Sequence, residues 1–336
     1  MAIDIKKFAG CRLLVAGDLM VDEYLWGNVE RISPEAPVQI VSVASEEHTL
    51  GGAGNVISNL VALEAKVSAV GVVGSGINGQ LVLKKLKALG VDTRGVIQDR
   101  KRATTRKTRI IANHQHVLRF DREVKTDISR QTMNKIWRAA GEMIADTDLI
   151  LVSDYSKGTV TRGLMTQLIA AAQKSNKLAI VDRKGRDFKK YAGASLITTN
   201  KKETALASGI EIVDDSSLAK AARRLIEKTA INKILVTCGK DGMAYFEQSK
   251  SPYRIHTQAR QVFDVSGAGD TVLAVLGLGI AAGYSITEAV ALANTAAGIV
   301  VGKVGTTTVS QAEMAAGLGQ IMSTTLGKQK TLDELT

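Results

Sequence analysis

Asp264-Val-Ser-Gly267-Ala268-Gly269-Asp270 runs without a break into Thr271–Thr287, a segment with no charged residue. Small residues let the backbone turn tightly and leave consecutive N–H groups at a helix N-terminus, where an anion is favoured. The uncharged segment just reaches the length of a membrane span. It is rich in Gly and Ala, starts directly after Asp270 and soon meets Glu288, so it is read as a buried helix. Asp270 then stands where it can take a proton from an alcohol attacking a phosphoryl group held by the Gly267–Asp270 amides. The plain alternative is that Asp270 only caps the helix. This stretch by itself does not choose between the two.

Working outward, short β-rich runs alternate with amphipathic helical patterns. Strands are expected at residues 12–17, 67–73, 148–153, 178–182, 195–199 and 233–237. Helices are expected at 55–64, 80–89, 129–145, 162–174 and 216–228, with two more after Asp270. Within 129–145, Met133, Ile136, Trp137, Ala140 and Ile144 share one helical face. Such alternation predicts the α/β class: a mainly parallel, doubly wound sheet with helices on both faces. Ligands then sit beyond the carboxyl ends of the strands. Two stretches break the rhythm, about 22–50 and 101–121, and they are expected to pair into a small β-sheet lid. No linker or repeat divides the chain, so residues 1–336 are read as a single domain.

Forty-four Lys and Arg against 33 Asp and Glu give a net charge of +11. No basic run of five occurs, and aromatics, at 4% of the chain, do not interleave with the basic residues as a base-stacking surface requires. Small anions are therefore the expected partners, with neither nucleic acid nor membrane. Two cysteines, Cys11 and Cys238, form no disulfide framework and no zinc spacing, and no export signal opens the chain. A reducing cytoplasm is the expected location.

Two other glycine-rich stretches compete for a phosphate. Gly74-Ser-Gly76-Ile-Asn-Gly79 satisfies the dinucleotide fingerprint, but it follows a second or later strand. Its acidic partner would have to be Asp92 or Asp99, neither of which closes a clear strand in the sequence. Gly298-x-x-x-Gly302-Lys303-Val304 is one residue short of a P-loop and lacks its hydroxyl.

Four motifs occur in order: Gly51-Gly52-Ala-Gly-Asn55, Asn200-Lys-Lys-Glu203, Val236-Thr237-Cys-Gly239-Lys-Asp-Gly242 and Gly267-Ala-Gly-Asp270. The set resembles the ribokinase-like, PfkB-type sugar kinases, from about Arg12 to Ser310. Asp18-Leu-Met-Val-Asp22-Glu-Tyr24, Ser153-Asp154-Tyr155-Ser-Lys157-Gly158 and Asp182-Arg-Lys184-Gly185 are similar to one branch, the 1-kinases of D-glycero-β-D-manno-heptose 7-phosphate. In many relatives that kinase is fused to a C-terminal adenylyltransferase. No His-x-Gly-His motif occurs here, His114 and His116 being separated by Gln115, and a stand-alone kinase is expected.

The resemblance implies ATP and Mg2+, with K+ as a further cation. It makes Asp270 the base and the amides of Gly267, Ala268 and Gly269 the anion hole. It implies Asn200 and Glu203 around magnesium, through water. Thr237, Gly239 and Gly242 would line the nucleotide, and Asn294 and Gly298 would approach the adenine. Asp22, Gly51, Gly52 and Asn55 would hold sugar hydroxyls, and Asp264 would belong to a monovalent-cation loop. For the sugar's own phosphate the candidates are Lys107, Arg109, Arg119 and Lys157, with Asp154 beside them at a strand end. Arg183 stands where many relatives have Pro and is a candidate extra phosphate contact, and Gly76 stands where many have Asp. A homodimer through the lid is implied. The competing readings are another PfkB-type sugar or nucleoside kinase, a ligand sensor on the same fold, and a nicotinamide oxidoreductase using Gly74–Gly79.

Overall fold

The computed structural model describes residues 3–113, 115–185, 187–257 and 262–319. His114 lies outside the described residues. The first sheet is built on β1 (Arg12–Gly17), whose apolar run alternates its side chains between two cores. Leu13 and Val15 enter one hydrophobic cluster, Leu14 and Ala16 the other. From β1 the chain adds β4 (Lys66–Gly74) and β5 (Asp92–Asp99) on one side. It then crosses back to add β8 (Leu149–Asp154), β9 (Leu178–Arg183), β10 (Leu196–Asn200) and β11 (Lys233–Thr237) on the other, all parallel. Two antiparallel strands, β12 (Met243–Glu247) and β13 (Tyr253–Ile255), complete the far edge. The order reverses between β1 and β8, so their carboxyl ends form the crevice in which such sheets bind ligands.

Helices cover both faces. One cluster holds apolar residues of α1 (Ala53–Ala62), α2 (Ile77–Ala88), α7 (Ala268–Ala281) and α8 (Ile286–Val300). The other holds those of α3 (Arg130–Ile144), α4 (Arg162–Lys174) and α6 (Asp215–Thr229). In α3 the buried stripe is Thr132, Ile136, Ala140, Met143 and Ile144; of the predicted face, Ile136, Ala140 and Ile144 are buried, while Met133 and Trp137 pack only partly against the core. The uncharged Thr271–Thr287 segment is not one helix, however. α7 ends at Ala281, Gly283 turns left-handed at φ +87°, and Ser285 caps α8, its hydroxyl accepting the Glu288 amide. Among the described residues no helix is long and apolar enough to cross a membrane.

The two interruptions do pair. β2 (Leu19–Ile32), β3 (Gln39–Gly52), β6 (Thr105–Ala112) and β7 (Gln115–Arg122) form a second sheet in the order β3-β2-β6-β7. β2 starts two residues after β1 ends, so this small sheet rises from the crevice itself. Reading the sequence missed β5, β12, β13 and α5 (Lys201–Ser208), which are short or edge elements with weak patterns.

α7 packs on the sheet through a glycine: a Cβ built at Gly277 would lie 2.5 Å from a methyl carbon of Leu151 in β8. Gly277→Val is therefore expected to destabilise the protein by about 1–3 kcal/mol. Urea denaturation of the single variants and of Gly277→Val/Leu151→Ala checks this. The double variant should fall well short of the additive loss, because Leu151→Ala vacates the colliding volume.

Candidate active site

Gly267, at φ +77°, is the N-cap of α7, and Asp270 sits three residues further in. Asp270 is therefore not the cap. Its carboxylate is turned into the crevice, where Oδ2 accepts from Asn55 Nδ2 at 3.0 Å and Oδ1 from the Tyr155 hydroxyl at 2.9 Å. Only 2% of the residue is exposed. Burial pushes its pKa up to about 7 and Asp182 adds to the rise, while hydrogen bonds from Asn55 and Tyr155 and the Lys184 cation pull the other way. A carboxyl poised there suits proton abstraction at neutral pH.

The turn before it has little freedom. A Cβ at Gly267 would lie 2.6 Å from Asn55 Nδ2 and 2.8 Å from Thr306 Cγ2. At Gly269 the same construction meets nothing within 4 Å, so space opens directly over the helix start. The Ala268 amide is turned back to the Val265 carbonyl at 3.3 Å. That leaves the amides of Gly269 and Asp270, which a helix start does not satisfy internally, as the donors facing that space.

A cavity of about 710 Å³ adjoins this turn. Asn200, Glu203, Thr237, Gly239, Gly242, Asn294 and Gly298 all line it, together with Ala268 and Gly269. Gly239 and Gly242 take left-handed φ of +61° and +83°, which keeps side chains out of this wall. Asn294 is anchored from the other wall by a 3.0 Å bond to the His256 carbonyl. Asn200 and Glu203 form a capping box at the start of α5: Asn200 Oδ1 accepts the Glu203 amide at 2.8 Å, and Glu203 Oε2 accepts the Asn200 amide at 3.3 Å. Two further ionisable residues join them, neither of them assigned a role from sequence. Asp182, the last but one residue of β9, accepts from Thr198 Oγ1 at 2.7 Å, and burial raises its pKa to about 6. Lys184 Nζ lies 3.5 Å from Glu203 Oε1. Burial works against this cation, but Asp182, Glu203 and Asp270 together raise its pKa. The cavity thus combines glycine-lined and apolar walls for a base, lysines for phosphates, and carboxylate and amide oxygens suited to a hydrated hard cation, so ATP and magnesium fit the residues present.

On the other side of Asp270 the small sheet presents one face. Register pairs Asp22 with Lys107 and Thr49, and Tyr24 with Arg109. Asp22 Oδ1 accepts from Arg109 Nη1 at 2.8 Å, and Arg109 also lies over the Tyr24 ring. Lys107 Nζ stands 4.6 Å from the centre of the Tyr155 ring, its pKa lowered by burial. Gly51 and Gly52 end β3 beside Asp22, and a Cβ at Gly51 would lie 2.6 Å from Asp22 Oδ2. Asn55 follows on α1, but its amide is committed to Asp270 rather than open to a ligand. Asp264 receives the amides of Ser266 at 2.8 Å and Gly305 at 3.0 Å, which knit two loops together.

Three candidates are not brought to this place. Asp154, at the end of β8, directs its carboxylate to Lys190 Nζ at 2.5 Å and Tyr191 Oη at 2.6 Å, because β8 side chains alternate and this one faces the opposite core. Arg119 is 57% exposed on β7 and pairs with Asp121. Arg183 is fully buried over the Phe188 ring, with Nη1 donating to the Gly185 carbonyl, so it reaches no phosphate position. A fourth candidate, Lys157, lies close enough to act on Lys107 but is paired with Glu123 at 2.5 Å. The dinucleotide fingerprint also reads differently in three dimensions. Asp99 does close a strand, β5, but its carboxylate binds the Lys101 amide and Thr132 Oγ1. Tyr155 carried no role in the sequence reading, although it directly follows a strand end, which is where that reading said to look.

The family model described as pfkB family carbohydrate kinase matches residues 12–313. Among curated relatives, a protein named "Bifunctional protein HldE" from Desulfatibacillum aliphaticivorans is 56% identical over 99% of this chain and 68% of its own length. One of the same name from Geobacter metallireducens is 48% identical over 96% of this chain and 66% of its own length. The chain thus spans about two thirds of the length of these relatives. Among solved structures, Escherichia coli phosphofructokinase-2 in complex with substrates and products superposes with a TM-score of 0.77 at 17% identity, covering 92% of this chain and 99% of that one. Arabidopsis thaliana ribokinase complexed with ribose and ATP gives 0.73 at 19%, covering 92% and 98%. At these identities the likeness is one of fold.

Burial of Asp270 has a measurable cost. Its folded pKa, about 7, lies above the unfolded value, so the folded state holds the proton more tightly. The destabilisation grows as pH rises from about 4 towards 7 and is complete above that. Asp270→Asn is expected to raise Tm at pH 8 by a few degrees, with the gain shrinking towards pH 5. The same variant should lose turnover by about a thousandfold or more. Calorimetry across pH and a coupled kinase assay check both halves.

Proposed function

We propose, from the premise that this chain belongs to the pfkB family of carbohydrate kinases, that its acceptor is the anomeric hydroxyl of D-glycero-β-D-manno-heptose 7-phosphate. The product is the 1,7-bisphosphate, an intermediate on the way to ADP-heptose and the lipopolysaccharide core. The observation that carries the reading is the small-sheet face beside Asp270, where Asp22 and the cations Lys107 and Arg109 stand together. A neutral sugar has no use for buried cations there, whereas a sugar phosphate does. The branch-specific motifs around Asp22, Tyr155 and Lys184 and the 56% identity to a protein named for the bifunctional HldE support the same choice.

In this scheme the acceptor hydroxyl lies between the Asp270 carboxylate and the terminal phosphate of ATP. Asp270 takes its proton as the new O–P bond forms and the bond to the ADP oxygen breaks. The Gly269 and Asp270 amides, with Gly267 and Ala268 shaping the turn, hold charge on the transferring oxygens. Asn200, Glu203 and Asp182 would hold magnesium, mostly through water, and that ion supplies charge neutralisation to the phosphates. Gly51, Gly52 and Asp22 face the sugar, and Lys157 is a more distant cation at the same end. Asp264 braces the loops that would enclose a monovalent cation, K+ in this proposal.

Closure of the small sheet excludes water and sets the in-line geometry. The proposal extends to one kinase unit from 1 to 336, working in the cytoplasm as a homodimer. Dimerisation through the small sheet is supported by its exposed apolar side chains Ile32, Val43, Leu118 and Phe120, with Val38 in the loop between β2 and β3.

The test is phosphoryl transfer from ATP across a panel of sugars, sugar phosphates and nucleosides, with product position read by phosphorus NMR. The heptose 7-phosphate should be the preferred acceptor and should gain its phosphate on the anomeric oxygen. Preference for ribose, fructose phosphates or a nucleoside would overturn the substrate assignment while leaving the kinase chemistry in place.

A further inference from the structure

Tyr155 has no part in the scheme above, yet its hydroxyl donates directly to Asp270. The residue follows β8 at the point where strand order reverses, and Asp18, just after β1, fixes its backbone. The Asp18 carboxylate accepts the amides of Tyr155 at 2.9 Å, Lys157 at 3.0 Å and Thr159 at 3.1 Å, so the whole loop is pinned across the crevice. From that mount the phenol donates to Asp270 Oδ1 at 2.9 Å, while Asn55 serves the other oxygen. Two ammonium groups lie over the ring: Lys107 from the small sheet at 4.6 Å and Lys184 from the cavity wall at 5.4 Å. The ring therefore stands between the sugar side and the nucleotide side, with its hydroxyl on the base.

We propose that Tyr155 is the positioning residue of the base: its hydroxyl orients Oδ1 of Asp270 and, as a donor that keeps its own proton, favours the ionised carboxylate. The inference rests on the reading of Asp270 as the base. During transfer the acceptor's proton goes to Asp270 and none to Tyr155, whose hydroxyl remains a donor before and after. Burial, and then the charge of Asp270, holds the phenol well above its ordinary range, which keeps it protonated across the working pH. The other groups facing Asp270 are the Asn55 amide from α1, Asp182 from β9, Lys184 beyond it and Lys107 from β6. Of these, Asp182 opposes ionisation, while Asn55 and the two cations favour it. Without the tyrosine hydroxyl the balance shifts towards the protonated, inactive acid.

The experiment is the pH profile of kcat/KM for Tyr155→Phe beside the unaltered enzyme, Asp270→Ala, and a protein carrying 3-fluorotyrosine at position 155 alone. Tyr155→Phe keeps the ring under both lysines and removes one oxygen. Its acidic limb should move up by about one pH unit. Turnover near pH 7 should fall about ten- to a hundredfold, with partial recovery at pH 9 and an unaltered KM for ATP. The fluorinated ring, a stronger donor, should move the limb to lower pH. The proposal is overturned by limbs that coincide with the unaltered enzyme's in both variants, or by a loss equal at every pH, which is the mark of packing alone. Near-normal turnover in Asp270→Ala would instead remove the base assignment itself, whatever the tyrosine variants do.

Discussion

A carboxylate deprived of water is the constraint on which this structure turns. Asp270 lies inside the crevice, and burial alone would leave it neutral at physiological pH. Two neutral donors, one amide and one phenol, and nearby lysines hold it at the edge of ionisation instead. Each of those groups comes from a different element: Asn55 from α1, Tyr155 from the loop after β8, Lys184 from the end of β9 and Lys107 from β6. In the proposed scheme the base is thus available only when the large sheet, its helices and the small sheet are all assembled.

The same dependence explains the local backbone. Gly267 must be glycine twice over, for its left-handed φ and for the Asn55 amide that would collide with a side chain there. Asn55 in turn lies in the first turn of the helix entered from Gly51 and Gly52, so the strand that frames the proposed sugar side also delivers a donor to Asp270. Around the cavity beside α7 the capping box of Asn200 and Glu203 does a similar double duty. It fixes the start of α5 and leaves a carboxylate beside Lys184 at the cavity wall. At Asp270 stability and the proposed chemistry pull in opposite directions, because a buried carboxylate costs folding energy.

The layout of the large sheet was legible because strands buried on both faces read as continuous apolar runs, such as Leu13–Ala16 and Leu149–Val152. The glycine turn and its aspartate were legible for a related reason, since few side chains fit a helix start that must face an anion. β5 and β13 were not, because partly exposed strands carry weaker periodicity, and β12, although buried, is only five residues long. Direction was the hardest property to read. Asp154 and Tyr155 are neighbours at one strand end, yet one carboxylate faces Lys190 and the adjacent phenol faces Asp270. The alternation of a strand decides this, and it needs the register of the neighbouring strands to be resolved. Arg183 misleads for the same reason, being drawn under Phe188 rather than towards the cavity where its neighbours Asp182 and Lys184 stand.

The most direct measurement is a crystal structure with a non-hydrolysable ATP analogue and the sugar phosphate bound together. The account requires the terminal phosphate within hydrogen-bonding distance of the Gly269 and Asp270 amides, and the acceptor hydroxyl on the Asp270 carboxylate. A triphosphate lying away from the start of α7, or an acceptor hydroxyl out of reach of Asp270, would contradict it.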